Sequence, residues 1–356
     1  MPVDASRIPH DPRLAALREW IDACHPGRTW SIAPASADAS FRRYFRIQFD
    51  DGNTLIAMDA PPEREDCRPF VTVAGLIADA GLNAPQVLGA NLEQGFLLLT
   101  DLGHQTFLAA MKDEAAAVSG DGSASPPTAR VDALYAAAID ALVQWQCASR
   151  PGVLPPYDAA LLRRELDLFP QWYLGEHLGI AEAPGIRAML EPVFATLIAS
   201  ALAQPRVWVH RDYMPRNLMI SHPNPGILDF QDAVEGPITY DLVSLFRDAF
   251  ISWPEAQVID WTIRYWEQAR KAGLPVDADF GEFYRVFEWM GLQRHLKVLG
   301  IFARLQHRDG KPDYLRDAPR FLRYVRGVAG RYGAFGGLAA LIDRIEAREP
   351  GTGLTF

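Results

Sequence analysis

The alternation of apolar and polar residues predicts a strand-rich first part of the chain. Residues 11–24 have apolar positions at helical spacing and predict an amphipathic helix. Apolar or alternating runs between turn residues predict five strands: Trp30–Ala35, Phe41–Phe49, Thr54–Asp59, Gln86–Ala90 and Gly95–Thr100. A second helix is predicted at Arg68–Ala80, where Gly81 ends it. The order of these elements indicates a small sheet with one helix inserted after its third strand.

From Val131 onward the apolar spacing is mainly helical. The predicted helices cover residues 131–149, 156–178, 186–203, 255–272, 279–305 and 313–347. One hairpin-like insert, Val207–Val209 with Gly226–Phe230, interrupts them. Residues 111–129 are small, polar and rich in turn formers, and they predict a mobile surface loop.

The length of the chain, 356 residues, exceeds what one hydrophobic core usually supports, so two lobes are expected. We predict an α+β fold with a small antiparallel-sheet lobe at residues 1–100 and a larger, mainly helical lobe at 106–356. Residues 101–105 are interpreted as the hinge that joins them.

Composition and charge exclude several classes of protein. The net charge of -9 argues against nucleic acid as a partner. No run of apolar residues is long enough for a membrane span, and the first residues lack the pattern of a secretory signal. The cysteines Cys24, Cys67 and Cys147 form no CxxC pair and no disulfide framework. A soluble, cytoplasmic protein is expected, and its oligomeric state is left open.

The segment Val207–Val243 carries the strongest chemical signal. A short apolar stretch leads into His210-Arg211-Asp212, Asn217 follows five residues after Asp212, and a second apolar stretch ends at Asp229. This order matches the catalytic-loop pattern H-R-D-x-x-x-x-N of phosphotransferases, followed by a metal-binding Asp. Asp212 and Asn217 could instead be simple turn formers. That alternative does not predict the second carboxylate after a strand.

The chain resembles the aminoglycoside phosphotransferase and choline kinase superfamily over nearly its whole length. The motifs that carry the resemblance are HRDYMPRN, ILDF, the sequence Tyr240-Asp241-Leu242-Val243, and FLLLTDLG at Phe96–Gly103. Within the superfamily it is most similar to the bacterial kinases that phosphorylate N-acetylmuramate and N-acetylglucosamine at C1 during cell-wall recycling. FRRYFRI, MDAPPE and QRHLKVLGIFARL indicate that subgroup. The resemblance implies a bilobal, protein-kinase-like fold and an ATP- and Mg²⁺-dependent reaction.

The resemblance also implies roles for individual residues. Asp212 would be the general base, Asn217 and Asp229 would be the Mg²⁺ ligands, and His210 and Asp241 would be structural. The backbone of Thr100, Asp101 and Leu102 would meet adenine. Ser40, at the end of the loop Ser36–Ser40, is assigned to the nucleotide.

Two nucleotide-binding features of kinases are missing from this sequence. The third strand, Leu55–Asp59, offers no lysine, and Ser36–Ser40 contains no glycine. Arg42, Arg43 and Arg46 lie on the neighbouring strand, and arginine can bind phosphate through two N–H groups. Strand alternation puts Arg42 and Arg46 on one face and Arg43 on the other. Solvated surface arginines are the alternative interpretation of each.

The acceptor pocket is expected between the catalytic loop and the C-terminal helices. The candidate residues are Glu165, Trp172, Gln231, Asp232 and Arg294. Carboxylates and amides suit sugar hydroxyls, an aromatic face suits the ring, and an arginine suits the lactyl carboxylate of N-acetylmuramate. Core packing is the simpler interpretation of the tryptophan, and Arg294 could equally be a helix-face or interior group.

Two other functions remain open at this point. The same chemistry could act on an aminoglycoside, on choline or on a hydroxy-amino acid. A pseudokinase that binds nucleotide without catalysis would explain the missing lysine and glycines, but it does not require all three of Asp212, Asn217 and Asp229.

Overall fold

The computed structural model describes residues 11–37, 41–118, 127–180 and 185–347, and it divides into two compact units. Unit 1 comprises the residues up to Gln105 together with Met219–Asp232, and unit 2 comprises Thr106–Leu218 and the chain from Ala233. Met219–Asp232 lies within the range 106–356 that the sequence predicts for the C-terminal lobe. Asn83 explains why this segment groups with unit 1, because its carbonyl accepts a hydrogen bond from the N–H of Ile227 at 2.7 Å.

Unit 1 is built on an antiparallel sheet whose strands have the order β1-β2-β3-β5-β4. Its elements are α1 (Pro12–Cys24), β1 (Trp30–Ala37), β2 (Arg43–Phe49), β3 (Thr54–Asp59), α2 (Arg68–Asp79), β4 (Val87–Asn91) and β5 (Phe96–Thr100). On one face of β2, Phe45, Ile47 and Phe49 pack against Leu17 and Ile21 of α1. The predicted sheet and both predicted helices are therefore present.

Unit 2 is mainly helical. Its helices are α3 (Phe107–Val118), α4 (Ala129–Cys147), α5 (Ala159–Leu166), α6 (Ile186–Ala203), α7 (Tyr240–Phe246), α8 (Glu255–Lys271), α9 (Phe280–His307), α10 (Ala318–Arg331) and α11 (Gly336–Glu346). A π-helix, Phe169–His177, follows α5. The short strands after α6 are β6 (Arg206–Val209), β7 (Leu218–Met219), β8 (Gly226–Ile227) and β9 (Val234–Pro237), of which β8 belongs to unit 1. The α+β class is confirmed.

Helix α9 is the centre of unit 2, because most of its residues from Phe283 to Leu305 are buried. Its apolar side chains share one core cluster with the π-helix, α6, α10 and α11. Gly300 lets the backbone of α9 approach Leu168, since a Cβ at this position would lie 2.4 Å from the Leu168 carbonyl carbon. This close approach brings the end of α5 to the polar side of α9.

Several sequence predictions about unit 2 are wrong. The predicted loop at 111–129 begins inside α3, because its Met-Lys-Asp-Glu-Ala run is made mostly of good helix formers and the Thr106 hydroxyl accepts from the N–H of Ala109 at 3.1 Å. Residues 119–126 lie outside the described part. Strand β6 pairs with β9 rather than with Gly226–Phe230.

The helical boundaries also differ. The predicted helix 156–178 is divided into α5 and the π-helix, and 313–347 is divided by a 3₁₀ turn at Gly333–Phe335. Helix α7, which follows β9, was not predicted.

Helix α6 is long and apolar enough to cross a membrane, judged by length and composition alone. It packs against α9 and α11 through Leu190, Val193, Phe194 and Leu197, which are buried. Core helices of soluble proteins pass the same test of length and composition, so one such helix is weak evidence for a membrane.

Candidate active site

The loop of unit 2 that carries the motif His210–Asn217 is fixed by one buried carboxylate. Strand β6 leads into His210, and the backbone N–H groups of His210 and Arg211 donate to the two carboxylate oxygens of Asp241 at 2.7 and 2.9 Å. Asp241 is fully buried at the start of α7, and burial raises its pKa to about 7 while those two N–H groups oppose the rise. The Tyr213 hydroxyl donates to the carbonyl of Ala138 at 2.8 Å and ties the loop to α4.

Asp212 and Asn217 lie together in this loop. The Asn217 side-chain amide donates to the Asp212 carbonyl at 2.9 Å, and the Asn217 N–H donates to the carbonyl of Met214 at 2.8 Å. The first bond uses the side-chain nitrogen of Asn217, so a cation would be bound through the side-chain carbonyl oxygen. The Asp212 side chain is 37% exposed, which a proton acceptor for a substrate requires.

Cations surround Asp212. Arg294 on α9 places Nη2 at 3.7 Å from Asp212 Oδ1, and its Nη1 lies 3.4 Å from the Tyr240 hydroxyl. Burial raises the pKa of Asp212, but Arg294, Lys297 and Arg211 outweigh it and hold the pKa below its usual range. Asp212 is therefore an ionised carboxylate at neutral pH, the form in which it can accept a proton.

A second cluster of polar side chains in unit 2 surrounds Glu165, whose carboxylate accepts their hydrogen bonds. It is 5% exposed at the end of α5, and its carboxylate takes hydrogen bonds from Tyr157 and Arg211. From α9, the Gln293 side chain donates at 3.1 Å and Lys297 Nζ lies 3.1 Å away. The sequence predicts that Glu165 contacts the sugar substrate. In the structure, donors from the protein itself surround its carboxylate.

The third predicted member of the catalytic set, Asp229, belongs to unit 1. Asp229 has a left-handed backbone conformation, with φ of 61°. Gln231 donates to Asp229 Oδ1 at 2.9 Å and approaches Asp232 Oδ2 at 3.4 Å. Arg42 Nη2 lies 3.6 Å from Asp229 Oδ1, so one of the three candidate arginines stands beside the proposed metal carboxylate.

Arg46 has a different partner within unit 1. Its guanidinium donates to both carboxylate oxygens of Asp101, at 2.6 and 2.9 Å, and to the carbonyl of Gly103 at 2.6 Å. Its Nη1 also lies 2.7 Å from His104 Nδ1. Burial raises the pKa of Asp101, but hydrogen bonds from Arg46 and the Gly103 N–H keep it below its usual range. Arg46 thus holds the predicted hinge segment.

Arg43 lies on the opposite face of β2, as strand alternation predicts. It pairs with the fully buried Asp59, its partner across the β2–β3 register, and with Asp11, the N-cap of α1. Arg13 of α1 donates to the other oxygen of Asp59 at 2.8 Å. These ion pairs fasten α1 to the sheet, which gives Arg43 a structural task.

The remaining predicted residues have simpler surroundings. Trp172 packs against the core cluster of unit 2, in line with the core-packing interpretation. The Thr100 hydroxyl accepts a hydrogen bond from the N–H of Gln86 at 2.9 Å. Leu102 packs closely on Gly226, since a Cβ at this glycine would lie 2.8 Å from the Leu102 side chain. Ser40 lies outside the described residues.

Sequence reasoning missed Tyr157, Lys297 and the Arg211–Glu165 pair. A signal was available in α9, because four of the five residues from Gln293 to Lys297 are polar or charged and lie within two turns of a predicted core helix. Helices that bury such groups must supply partners for them. The partner from α5 could not be identified without the fold.

Comparison with protein families supports the phosphotransferase pattern. A family model described as "Phosphotransferase enzyme family" matches residues 31–276. The chain belongs to this family. The protein is 51% identical to an N-acetylmuramate/N-acetylglucosamine kinase of Pseudomonas aeruginosa over 331 residues, 90% of this chain and 93% of that protein. The proteins of the same name from Pseudomonas putida and Neisseria meningitidis are 50% and 48% identical, covering 95% and 97% of this chain and 98% and 99% of theirs.

Solved structures share the fold at low sequence identity. A choline/ethanolamine kinase family protein from Mesorhizobium loti is 16% identical with a TM-score of 0.57, over 93% of this chain and 99% of that chain. An ethanolamine kinase from Plasmodium vivax is 9% identical with a TM-score of 0.61, over 90% and 91%. These similarities confirm the predicted kinase-like fold.

Proposed function

We propose that this protein is an ATP- and Mg²⁺-dependent kinase that phosphorylates the anomeric hydroxyl of N-acetylmuramate and N-acetylglucosamine. Its products would feed the recycling of peptidoglycan sugars into nucleotide-sugar precursors. The observation that carries the proposal is the near-full-length similarity, at about half identity, to kinases that bear these two substrates in their names. The phosphotransferase motif at Asp212 and Asn217 supports the same chemistry.

Asp212 is proposed as the general base. An anomeric hydroxyl is more acidic than an ordinary alcohol, so a carboxylate with a lowered pKa is an adequate acceptor for its proton. The cations Arg294, Lys297 and Arg211 keep the carboxylate ionised. Most of the rate enhancement is expected from alignment of the two substrates and from neutralisation of charge.

Asn217 and Asp229 are proposed as the residues that hold Mg²⁺. An amide carbonyl and a carboxylate are the hard oxygen donors that this ion prefers, so the donor set fits. Bound Mg²⁺ supplies charge neutralisation on the phosphate oxygens. Gln231 assists by fixing one oxygen of Asp229 with a hydrogen bond.

Arg42 is proposed to replace the missing third-strand lysine. Of the three candidate arginines, Arg46 pairs with Asp101 and Arg43 pairs with Asp59 and Asp11. Arg42 lies next to Asp229, the carboxylate proposed to hold the ion, and its guanidinium would bind a phosphate group there. The backbone of Thr100–Leu102 is proposed to bind adenine, with Ser40 near the phosphates.

For the acceptor, Gln231, Asp232 and Arg294 remain the proposed contacts. The Gln231 side-chain carbonyl is buried without a hydrogen-bond partner among the described residues, and a sugar hydroxyl would satisfy it.

The proposal is tested by measuring ADP release with Mg-ATP and four acceptors in parallel, N-acetylmuramate, N-acetylglucosamine, an aminoglycoside and choline, beside a control without acceptor. Turnover with both amino sugars and none with the cationic acceptors is expected. Turnover with a cationic acceptor alone would identify a different kinase. No turnover with any acceptor, although ATP protects the protein against thermal unfolding, would identify a pseudokinase.

A further inference from the structure

The residue before the proposed base has an unfavourable backbone conformation. Arg211 has φ of 75°, in the left-handed region that residues with a side chain rarely adopt. Such a conformation costs free energy and persists only where surrounding contacts fix it. Asp241 fixes the backbone side of Arg211 by accepting its N–H at 2.9 Å. A second restraint acts on the side chain.

That second restraint is the ion pair between Arg211 and Glu165. The Arg211 guanidinium donates to Glu165 Oε1, and both side chains are largely buried. A buried arginine with one carboxylate partner has little freedom to move, because any displacement leaves a desolvated charge unpaired. Arg211 is therefore held from the backbone by Asp241 and from the guanidinium by Glu165.

Glu165 is itself fixed by three donors other than Arg211. Tyr157 donates to Oε2, Gln293 donates to the same oxygen at 3.1 Å, and Lys297 Nζ lies 3.1 Å from Oε1. Gln293 and Lys297 come from α9, the central helix of unit 2. The Glu165 carboxylate thus links the buried helix α9 to the loop that carries Asp212.

We propose that Glu165 is a positioning residue for catalysis: by clamping the Arg211 guanidinium against α9, it fixes the strained backbone that presents Asp212 to the acceptor hydroxyl. This inference rests on the proposed function, in which Asp212 is the base. It replaces the sequence prediction that Glu165 contacts the sugar. In this role Glu165 contacts neither substrate, so its replacement should lower kcat and leave the KM values unchanged.

The charges in the cluster predict how the loop that carries Asp212 is disturbed when Glu165 loses its charge. Glu165 is the anion that pairs with both Arg211 and Lys297. When its charge is removed, the Arg211 guanidinium still feels the attraction of the Asp212 carboxylate. The guanidinium is then attracted to the base, which shifts the loop and competes for the proton-accepting carboxylate.

The test compares Glu165→Gln with a matched control, Glu288→Gln. Glu288, on α9, is buried like Glu165. Its carboxylate likewise pairs with two cations, Arg247 at 3.1 Å and Arg331 at 2.6 Å, and accepts a hydrogen bond from a tyrosine hydroxyl, Tyr332 at 2.7 Å. Loss of a buried carboxylate charge is therefore common to both variants. Steady-state kinetics with N-acetylglucosamine and ATP, together with thermal unfolding, are measured for each.

Glu165→Gln is expected to lower kcat about 10- to 100-fold with both KM values within about twofold, because displacement of a reacting group by about 1 Å costs about this much. Both variants are expected to lower the unfolding temperature, and by similar amounts. Glu288→Gln is expected to keep the kcat of the wild type. If Glu165→Gln does not fold, Glu165→Asp applies the same test, since the shorter side chain withdraws from Arg211.

Equal kcat for the Glu165 variant and the Glu288 control would overturn the inference, as would a rise in the KM for the sugar with kcat unchanged. The second result would return Glu165 to the acceptor site. Neither outcome involves the proposed function, which fails separately if the wild-type protein does not phosphorylate either sugar.

Discussion

The guanidinium of Arg46 forms a two-point ion pair with the carboxylate of Asp101, at 2.6 and 2.9 Å. The pair joins β2 to the segment directly after β5, and the Gly103 carbonyl accepts a further hydrogen bond from Arg46 at 2.6 Å. Because this segment is the one proposed to bind adenine, the pair sets the backbone that the nucleotide would meet.

We expect Arg46→Ala and Asp101→Asn each to destabilise the protein by about 1–3 kcal/mol, since each leaves a partly buried charge without its partner. The two effects should not add, because both variants remove the same interaction. Denaturant unfolding of the single and double variants measures this coupling. Additive effects would show that the ion pair contributes nothing to stability.

Arg42 and Arg43 are adjacent in sequence, and we expect opposite consequences when each is replaced. Arg42→Ala should raise the KM for ATP about tenfold or more through loss of a phosphate contact, with little change in stability. Arg43→Ala should lower stability by about 1–2 kcal/mol through loss of its pairing with Asp59, with the KM for ATP unchanged. Kinetics and unfolding of both variants test this, and an ATP effect in the Arg43 variant alone would reverse the assignment.

Asp212→Asn should lower kcat about 100- to 10,000-fold, the range that a general base contributes, because the amide cannot accept the acceptor's proton. ATP binding should persist, since the residues proposed for the nucleotide are unchanged. Calorimetric titration with Mg-ATP and a turnover assay separate the two properties. A fully active Asp212→Asn protein would exclude this residue as the base.

Glu165 gives the stability of the protein a defined pH dependence. Burial raises its pKa, but Lys297, Arg211 and the Tyr157 hydroxyl lower it to about 2, against an ordinary value of 4.5. Because the pKa is lower in the folded state, Glu165 stabilises the protein above pH 4.5, and this contribution is lost as the pH falls towards 2.

The difference in unfolding free energy between the wild type and Glu165→Gln should therefore shrink by about 2 kcal/mol between pH 5 and pH 3. Denaturant unfolding across this pH range measures the difference. A difference that stays constant with pH would show that the pKa of Glu165 is not lowered by folding.

The motif from His210 to Asn217 could be recognised in the sequence because its pattern is local. His210, Asp212 and Asn217 lie within eight consecutive residues, and the bonds among their backbone and side-chain groups are short-range. The strands of unit 1 were predicted for the same reason, since turn residues such as Gly52 and Gly95 separate short apolar runs. Antiparallel neighbours that are close in sequence leave few alternative pairings.

Pairings between distant segments could not be predicted from the sequence. Strand β6 pairs with β9. The apolar run at Gly226–Phe230 lies nearer to β6 in the sequence, and the prediction that it pairs with β6 was wrong. Glu165 and Arg211 are 46 residues apart, and nothing local to either indicates the other. The three arginines near the start of β2 illustrate the same limit, because alternation assigned their faces but their partners Asp229, Asp59 and Asp101 depend on the fold.

The central proposal, phosphorylation of an amino sugar at C1, is tested most directly by ³¹P NMR of the product. The protein is incubated with Mg-ATP and N-acetylmuramate, and in a parallel tube with N-acetylglucosamine. We predict a new sugar phosphate signal that is coupled to the anomeric proton, together with stoichiometric ADP. A phosphate coupled to another ring position, or ATP that remains intact in both tubes, would contradict the proposed function.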